Sequence, residues 1–172
     1  MLRYTLTIFL SAFLLFQVQP MLGKFILPWF GGGPSVWSAC LLFFQMLLLG
    51  GYLYAHGLTS RLTPRTQVCV HLALLGLSLL FLPITPKEAW KPTDSGAPAL
   101  HILVLLAICV GAPYLLLSTT GPLLQRWFTW THPGRTPYRL YAVSNVGSLL
   151  GLLIYPFAVE PVLGLHRQTA IW

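Results

Sequence analysis

Four amide side chains lie within or at the end of long apolar runs, where a neutral polar group must find a partner or a ligand. An amide both donates and accepts hydrogen bonds, which suits contact with a small polar solute. An interhelical hydrogen bond, or contact with interfacial water at a helix end, is the alternative explanation for each. The predicted substrate-binding residues are Gln17, Gln19, Gln45 and Asn145.

Other residue types with reactive side chains form no recognisable motif. His56 and His71 end neighbouring apolar runs and could face each other as haem ligands, but interfacial histidine is common and no helical i, i+4 pair or C-x-x-C-H sequence occurs. The three cysteines are far apart within apolar runs and are predicted to be small buried hydrophobic residues. No phosphate-binding or nucleophile motif occurs either. We therefore predict no metal, no cofactor and no enzymatic activity of this chain alone.

Small residues recur at four-residue intervals in the last long apolar run. Gly147 and Gly151 have G-x-x-x-G spacing, and Ser144 and Ser148 repeat that interval beside them. Such a face allows another helix to approach closely. We predict that these four residues pack against a helix of this chain or of a partner.

The elements that must position these residues are membrane-spanning helices. Of 172 residues, 56% are hydrophobic and only 8% are charged, whereas soluble domains have about 25% charged residues. A helix needs about 20 apolar residues to cross a bilayer. The sequence predicts an all-α transmembrane bundle of five spans in the lipid bilayer, at about residues 4–23, 35–55, 66–84, 99–117 and 141–159.

Proline, glycine and charge define the predicted connections. Residues 24–34 contain two prolines and three glycines and predict a short loop or re-entrant turn. Residues 57–65 predict a short basic loop. Apolar residues at helical spacing around Arg126 predict a short helix lying in the membrane interface. Pro156 should free a carbonyl group one turn earlier and bend the last span.

The charged residues predict an orientation. The net charge is +7, and it comes from residues between the apolar runs, which is typical of membrane anchoring rather than of nucleic-acid binding. With a cytoplasmic N-terminus, the inner segments carry six arginines and no acidic residue. The outer segments carry four basic residues and all three acidic residues, Glu88, Asp94 and Glu160. We predict an integral inner-membrane (plasma-membrane) protein with its N-terminus in the cytoplasm.

The chain is predicted to be one transmembrane domain over residues 1–172. Residues 169–172 are apolar again after the fifth span and could begin a sixth. An odd span count with the start of another predicts the N-terminal part of a longer protein, which would associate with further transmembrane helices.

Four segments together resemble a known membrane family. The segments Phe9–Lys24, Gly31–Trp37, Pro122–Trp127 and Pro137–Leu149 are similar to the N-terminal region of spermidine synthase-like integral membrane proteins. This resemblance implies part of a major facilitator half, followed in the family by a Rossmann-type enzyme domain that this chain lacks. At the superfamily's G-x-x-x-D-R-x-G-R-R loop, Arg61 and Arg65 match, but Ser60 stands in place of the aspartate.

The resemblance implies a transporter-like or substrate-handling membrane domain that works with a spermidine synthase-like enzyme domain. The alternative is a structural helical subunit that packs through its fifth span into a larger membrane complex. No Asp, Glu, Lys or Arg lies deep in a predicted span, which is unlike ion-coupled pumps and fits either function.

Overall fold

The computed structural model describes residues 1–92 and 98–172, so Asp94 lies outside the described residues. Five helices in it are long and apolar enough to cross a membrane. They are α1 (Leu2–Trp29), α2 (Pro34–Arg61), α3 (Pro64–Phe81), α4 (Pro98–Thr131) and α5 (Tyr138–Val162). A short helix, α6 (Leu165–Ile171), follows. The predicted all-α bundle of five spans is confirmed.

Prolines interrupt these helices less than the sequence predicts. The predicted loop at residues 24–34 is wrong over its first half, because α1 continues through Pro20 and Pro28. Proline costs one backbone hydrogen bond, and the remaining turns hold the helix in an apolar setting where no other partner is available. The chain reverses in a tighter turn, where Gly31 and Gly32 adopt positive φ angles of 91° and 65° that favour glycine.

The predicted interfacial helix around Arg126 is also wrong, because these residues continue α4 through Pro122. The combined helix of 34 residues is about 51 Å long at 1.5 Å per residue, longer than the hydrocarbon core of about 30 Å. Its last turns therefore extend beyond the hydrocarbon core while remaining packed on the bundle. Leu123 and Phe128 are fully buried there.

Two helices widen into π-helical turns beside a proline. The segment Ala107–Gly111 precedes Pro113 in α4, and the segment Tyr155–Val159 contains Pro156 in α5. A π-helical turn accommodates the missing N–H group and the bulk of the proline ring. At Pro156, where the sequence predicts a bend, the structure has a local change from α-helix to π-helix.

The bundle has two ends, defined here by their charged residues. The Lys24 end contains the α1–α2 turn and the end of α5, where Lys24 pairs with Glu160. The Arg61 end contains the start of α1, the α2–α3 turn and the α4–α5 loop. The largest hydrophobic cluster joins α1, α2 and α4 in the Lys24 half, around Leu22, Phe44 and Tyr114.

Candidate functional site

A cavity of about 150 Å³ lies between α1, α2, α4 and α5 in the Arg61 half. We call it the central cavity. Its floor toward the Lys24 end is Leu15, which also belongs to the large hydrophobic cluster. Its polar lining comes from all four helices and consists of Ser11, Tyr52, Ser118, Gln125, Tyr141, Ser144, Asn145 and Ser148.

The α1–α5 contact positions the polar face of α5 against the central cavity. A Cβ atom on Gly147 would lie 2.7 Å from the Phe9 carbonyl oxygen, and one on Gly151 would lie 2.5 Å from that of Phe13. The two helices run parallel, so Gly147 and Gly151, four residues apart on α5, meet Phe9 and Phe13, four residues apart on α1. This close approach places Ser144 and Ser148 at the cavity wall, so the small-residue face packs within this chain.

Hydrogen bonding separates two kinds of polar group in the central cavity. The Ser148 hydroxyl donates to the Ser144 carbonyl oxygen at 2.9 Å, and the Ser118 hydroxyl donates to the Leu115 carbonyl oxygen at 2.7 Å. Within the described residues, the side-chain amides of Gln125 and Asn145 make no hydrogen bond. These two amides are therefore available to a solute or to water.

A second, larger opening adjoins the central cavity on the Arg61 side. This basic cleft has a volume of about 440 Å³ and shares Tyr52 and Pro122 with the central cavity. The other residues that line it are Ala55, His56, Thr59, Ser60 and Arg126. The shared residues make the two openings neighbours along one path from the middle of the bundle to its Arg61 end.

Only one of the four predicted substrate-binding residues lines the central cavity. Asn145 does, from an exposed position on α5, whereas Gln45 is exposed on α2 and does not line the cavity. Gln19 lies in the Lys24 half and donates a hydrogen bond to the Tyr114 hydroxyl at 2.9 Å. Gln17 is half-buried and does not line the cavity. The structure thus does not bring these four amides together.

The two histidines considered as haem ligands point to different places. His56 lines the basic cleft, whereas His71 is buried beside Tyr54 at a ring-centroid distance of 6.1 Å. Tyr54 and His56 are two residues apart on α2 and so face nearly opposite sides of it. The facing arrangement is therefore wrong. Among the described residues, no group of three or more His, Cys, Asp or Glu side chains could hold a metal ion.

Several polar residues of the site are missed by reasoning from sequence. Gln125 falls in the stretch predicted as an interfacial helix, and Ser11 is a single hydroxyl in an apolar run. Tyr52 and Tyr141 look like interfacial aromatic residues. The sequence signal that could have identified these residues is a polar side chain within an apolar stretch. That signal does not show which side of the helix faces the bundle.

Comparison with protein-family models, curated proteins and solved structures finds no match to this chain.

Proposed function

We propose that this chain is a transporter-like or substrate-handling membrane domain that binds a small polar solute in the central cavity. The observation that carries the proposal is the polar central cavity, where the amides of Gln125 and Asn145 have no hydrogen-bond partner among the described residues. Polar groups that face a cavity between membrane helices commonly mark a solute path. The adjoining basic cleft supplies a path toward the Arg61 end.

The asymmetry of packing supports this proposal. Toward the Lys24 end the bundle is filled by the large hydrophobic cluster and by the Gln19–Tyr114 hydrogen bond. Beyond them, Lys24 pairs with Glu160 across α1 and α5. The interior is filled on the Lys24 side of the central cavity and open on its Arg61 side, which is the arrangement that a one-sided solute site requires.

We further propose that the domain sits in the inner membrane with its N-terminus in the cytoplasm. Arg61, Arg126 and Arg135 would then lie on the cytoplasmic side, in agreement with the positive-inside rule. In a Cys69→Ala background, Gly134→Cys should resist an impermeant thiol reagent added from outside, whereas Lys91→Cys should react. The opposite labelling pattern would reverse the orientation.

The association with a spermidine synthase-like enzyme domain is proposed from the sequence resemblance alone. This chain contains no nucleotide-binding motif, so any such chemistry would reside elsewhere. The transcript that encodes the chain tests the association. Further spans followed by a G-x-G-x-x-G turn would support it, and their absence from that transcript would count against it.

The alternative is a structural helical subunit of a larger membrane complex. Its support is the row of exposed apolar side chains on α3 and α5, including Leu72, Leu77 and Phe157. Exposed apolar side chains also suit lipid, and the glycine face of α5 is already covered by α1. The solute-binding proposal therefore has the more specific observation behind it.

A matched pair of variants separates the two functions. The purified chain is screened by thermal shift against inorganic phosphate, simple carboxylates, amino acids, sugars and spermidine. Asn145→Leu should lower the affinity for a stabilising probe by up to about tenfold, the usual worth of one hydrogen bond. Gln45→Leu, an equal change at a residue that does not line the cavity, should leave that affinity unchanged.

If no probe stabilises the protein, or if both variants behave like the unmodified chain, the central cavity is not a solute site. The structural-subunit alternative would then be favoured.

A further inference from the structure

We infer that the basic cleft selects an oxyanion, such as a phosphate group, and excludes polycations. This inference rests on the proposed function and specifies the chemical class of the ligand. It also runs against the expectation that the spermidine synthase resemblance would raise, since spermidine is a polycation.

The lining of the basic cleft carries hydrogen-bond donors and a positive charge without a counter-charge. Arg126 contributes a guanidinium group, Tyr52 a hydroxyl group and His56 an imidazole ring. The hydroxyl groups of Thr59 and Ser60 donate to the carbonyl oxygens of Ala55 and Gly57, so they offer an anion no further proton. No residue that lines the cleft is acidic, and within the described part of the chain Arg126 has no carboxylate partner. A bound cation would therefore meet an unpaired positive charge, whereas an anion would neutralise it.

Arg126 is also held at the mouth of the basic cleft. Its guanidinium carbon lies 5.1 Å from the centre of the Trp130 ring, one turn further along α4. This cation–π contact orients the side chain and leaves its N–H groups free to donate. Guanidinium groups bind phosphate and carboxylate oxygens in pairs, with geometric specificity.

The charge distribution of the whole bundle acts in the same direction. Six arginines and no acidic residue belong to the segments of the Arg61 end. Glu88 and Glu160 lie at the opposite end, near Lys24. A charge distribution of one sign around a cleft raises the local concentration of anions there.

Phosphate chemistry can come from a soluble phosphate compound or from a lipid headgroup, and both would use the same donors. The test therefore uses the full chain in bilayer discs of phosphatidylcholine, which has no net charge. Binding of radiolabelled inorganic phosphate is measured by equilibrium dialysis. Discs with part of the lipid replaced by phosphatidylglycerol form the second arm.

The variants isolate the guanidinium of Arg126 from the overall charge. Arg126→Gln should weaken phosphate binding about tenfold, the worth of a hydrogen bond to a charged group. Arg126→Lys should retain part of the affinity because it keeps the charge. Arg135→Gln removes an equal charge from the α4–α5 loop and should change binding less than about twofold, because Arg135 does not line the cleft and acts on it only through screened solvent.

A fall in phosphate binding with phosphatidylglycerol, measured in salt that screens the surface charge of the disc, would identify a lipid headgroup as the natural occupant, and unchanged binding would identify a soluble phosphate compound. Equal effects of Arg126→Gln and Arg135→Gln, or spermidine binding in place of phosphate, would overturn the inference. If phosphate fails to bind while a neutral probe is lost in Asn145→Leu, the cleft inference fails and the proposed function stands. If phosphate binding depends on Arg126 and no probe responds to Asn145→Leu, the reverse holds.

Discussion

The Lys24 half and the Arg61 half of the bundle are built from the same apolar residue types but are stabilised differently. In the Lys24 half, one continuous cluster fills the space between α1, α2 and α4, with Leu22 and Ile26 fully buried. In the Arg61 half, the buried hydrophobic residues form two small clusters, around Ile8 and around Leu58. Between them lie the central cavity and the basic cleft.

What compensates for the missing core in the Arg61 half is the backbone contact of α5 with α1. Bilayer lipid is as apolar as leucine, so burial alone gives little driving force for helix association. Close packing supplies it instead, either through interlocking side chains or through glycine. The difference between the halves shows that a cavity can be kept open where glycine contacts, rather than a filled core, hold the helices.

The largest expected effect follows from that contact. Gly151→Leu should destabilise the protein by about 3 kcal/mol or more, because the atoms it meets belong to the Phe13 backbone and cannot move aside. The measurement is the unfolding free energy from titration with dodecyl sulfate in mixed micelles. Gly76→Leu is the control, since no atom beyond its own helical turn lies within 4 Å of a Cβ at that position. Equal stability of the two variants would contradict the backbone contact.

An intermediate effect is expected from truncation in the filled core. Leu22→Ala should lower the free energy of unfolding by roughly 2 kcal/mol, because it leaves a cavity in the packed core. The transfer of the side chain out of water adds nothing, since the leucine lies in an apolar setting in both the folded and the unfolded protein. Leu10→Ala, at a side chain that is 54% exposed toward lipid, should change stability by less than about 0.5 kcal/mol. The same titration measures both. A cost for Leu10→Ala as large as that for Leu22→Ala would remove the distinction between filled core and lipid-facing surface.

The smallest expected effect concerns the hydrogen bond from Gln19 to Tyr114 in the Lys24 half. A double-mutant cycle with Gln19→Leu and Tyr114→Phe should give a coupling of about 0.6 kcal/mol, the average for such bonds within membranes. Gln17→Leu with Tyr114→Phe is the matched cycle and should give no coupling. A coupling of similar size in that second cycle would show that the assigned partner is wrong.

The amino-acid sequence by itself determined the five helices and the placement of charge toward their ends and in the loops. Apolar run length and the near absence of charge suffice for this, because a backbone in lipid must satisfy its hydrogen bonds internally. The positions at which the helices end were less predictable. Pro28 and Pro122 suggest helix ends in any sequence, but here α1 and α4 continue through them.

Only the tertiary structure decided which polar residues meet. Gln45 and Asn145 are equivalent in sequence terms, each an amide within an apolar run, and both are exposed, yet only Asn145 lines the central cavity. The difference is set by how each helix is rotated about its axis, and a span that is apolar on every side carries little amphipathic pattern from which to read that rotation. In α5 the rotation is fixed by Gly147 and Gly151 against α1, a contact that exists only once both helices have assembled.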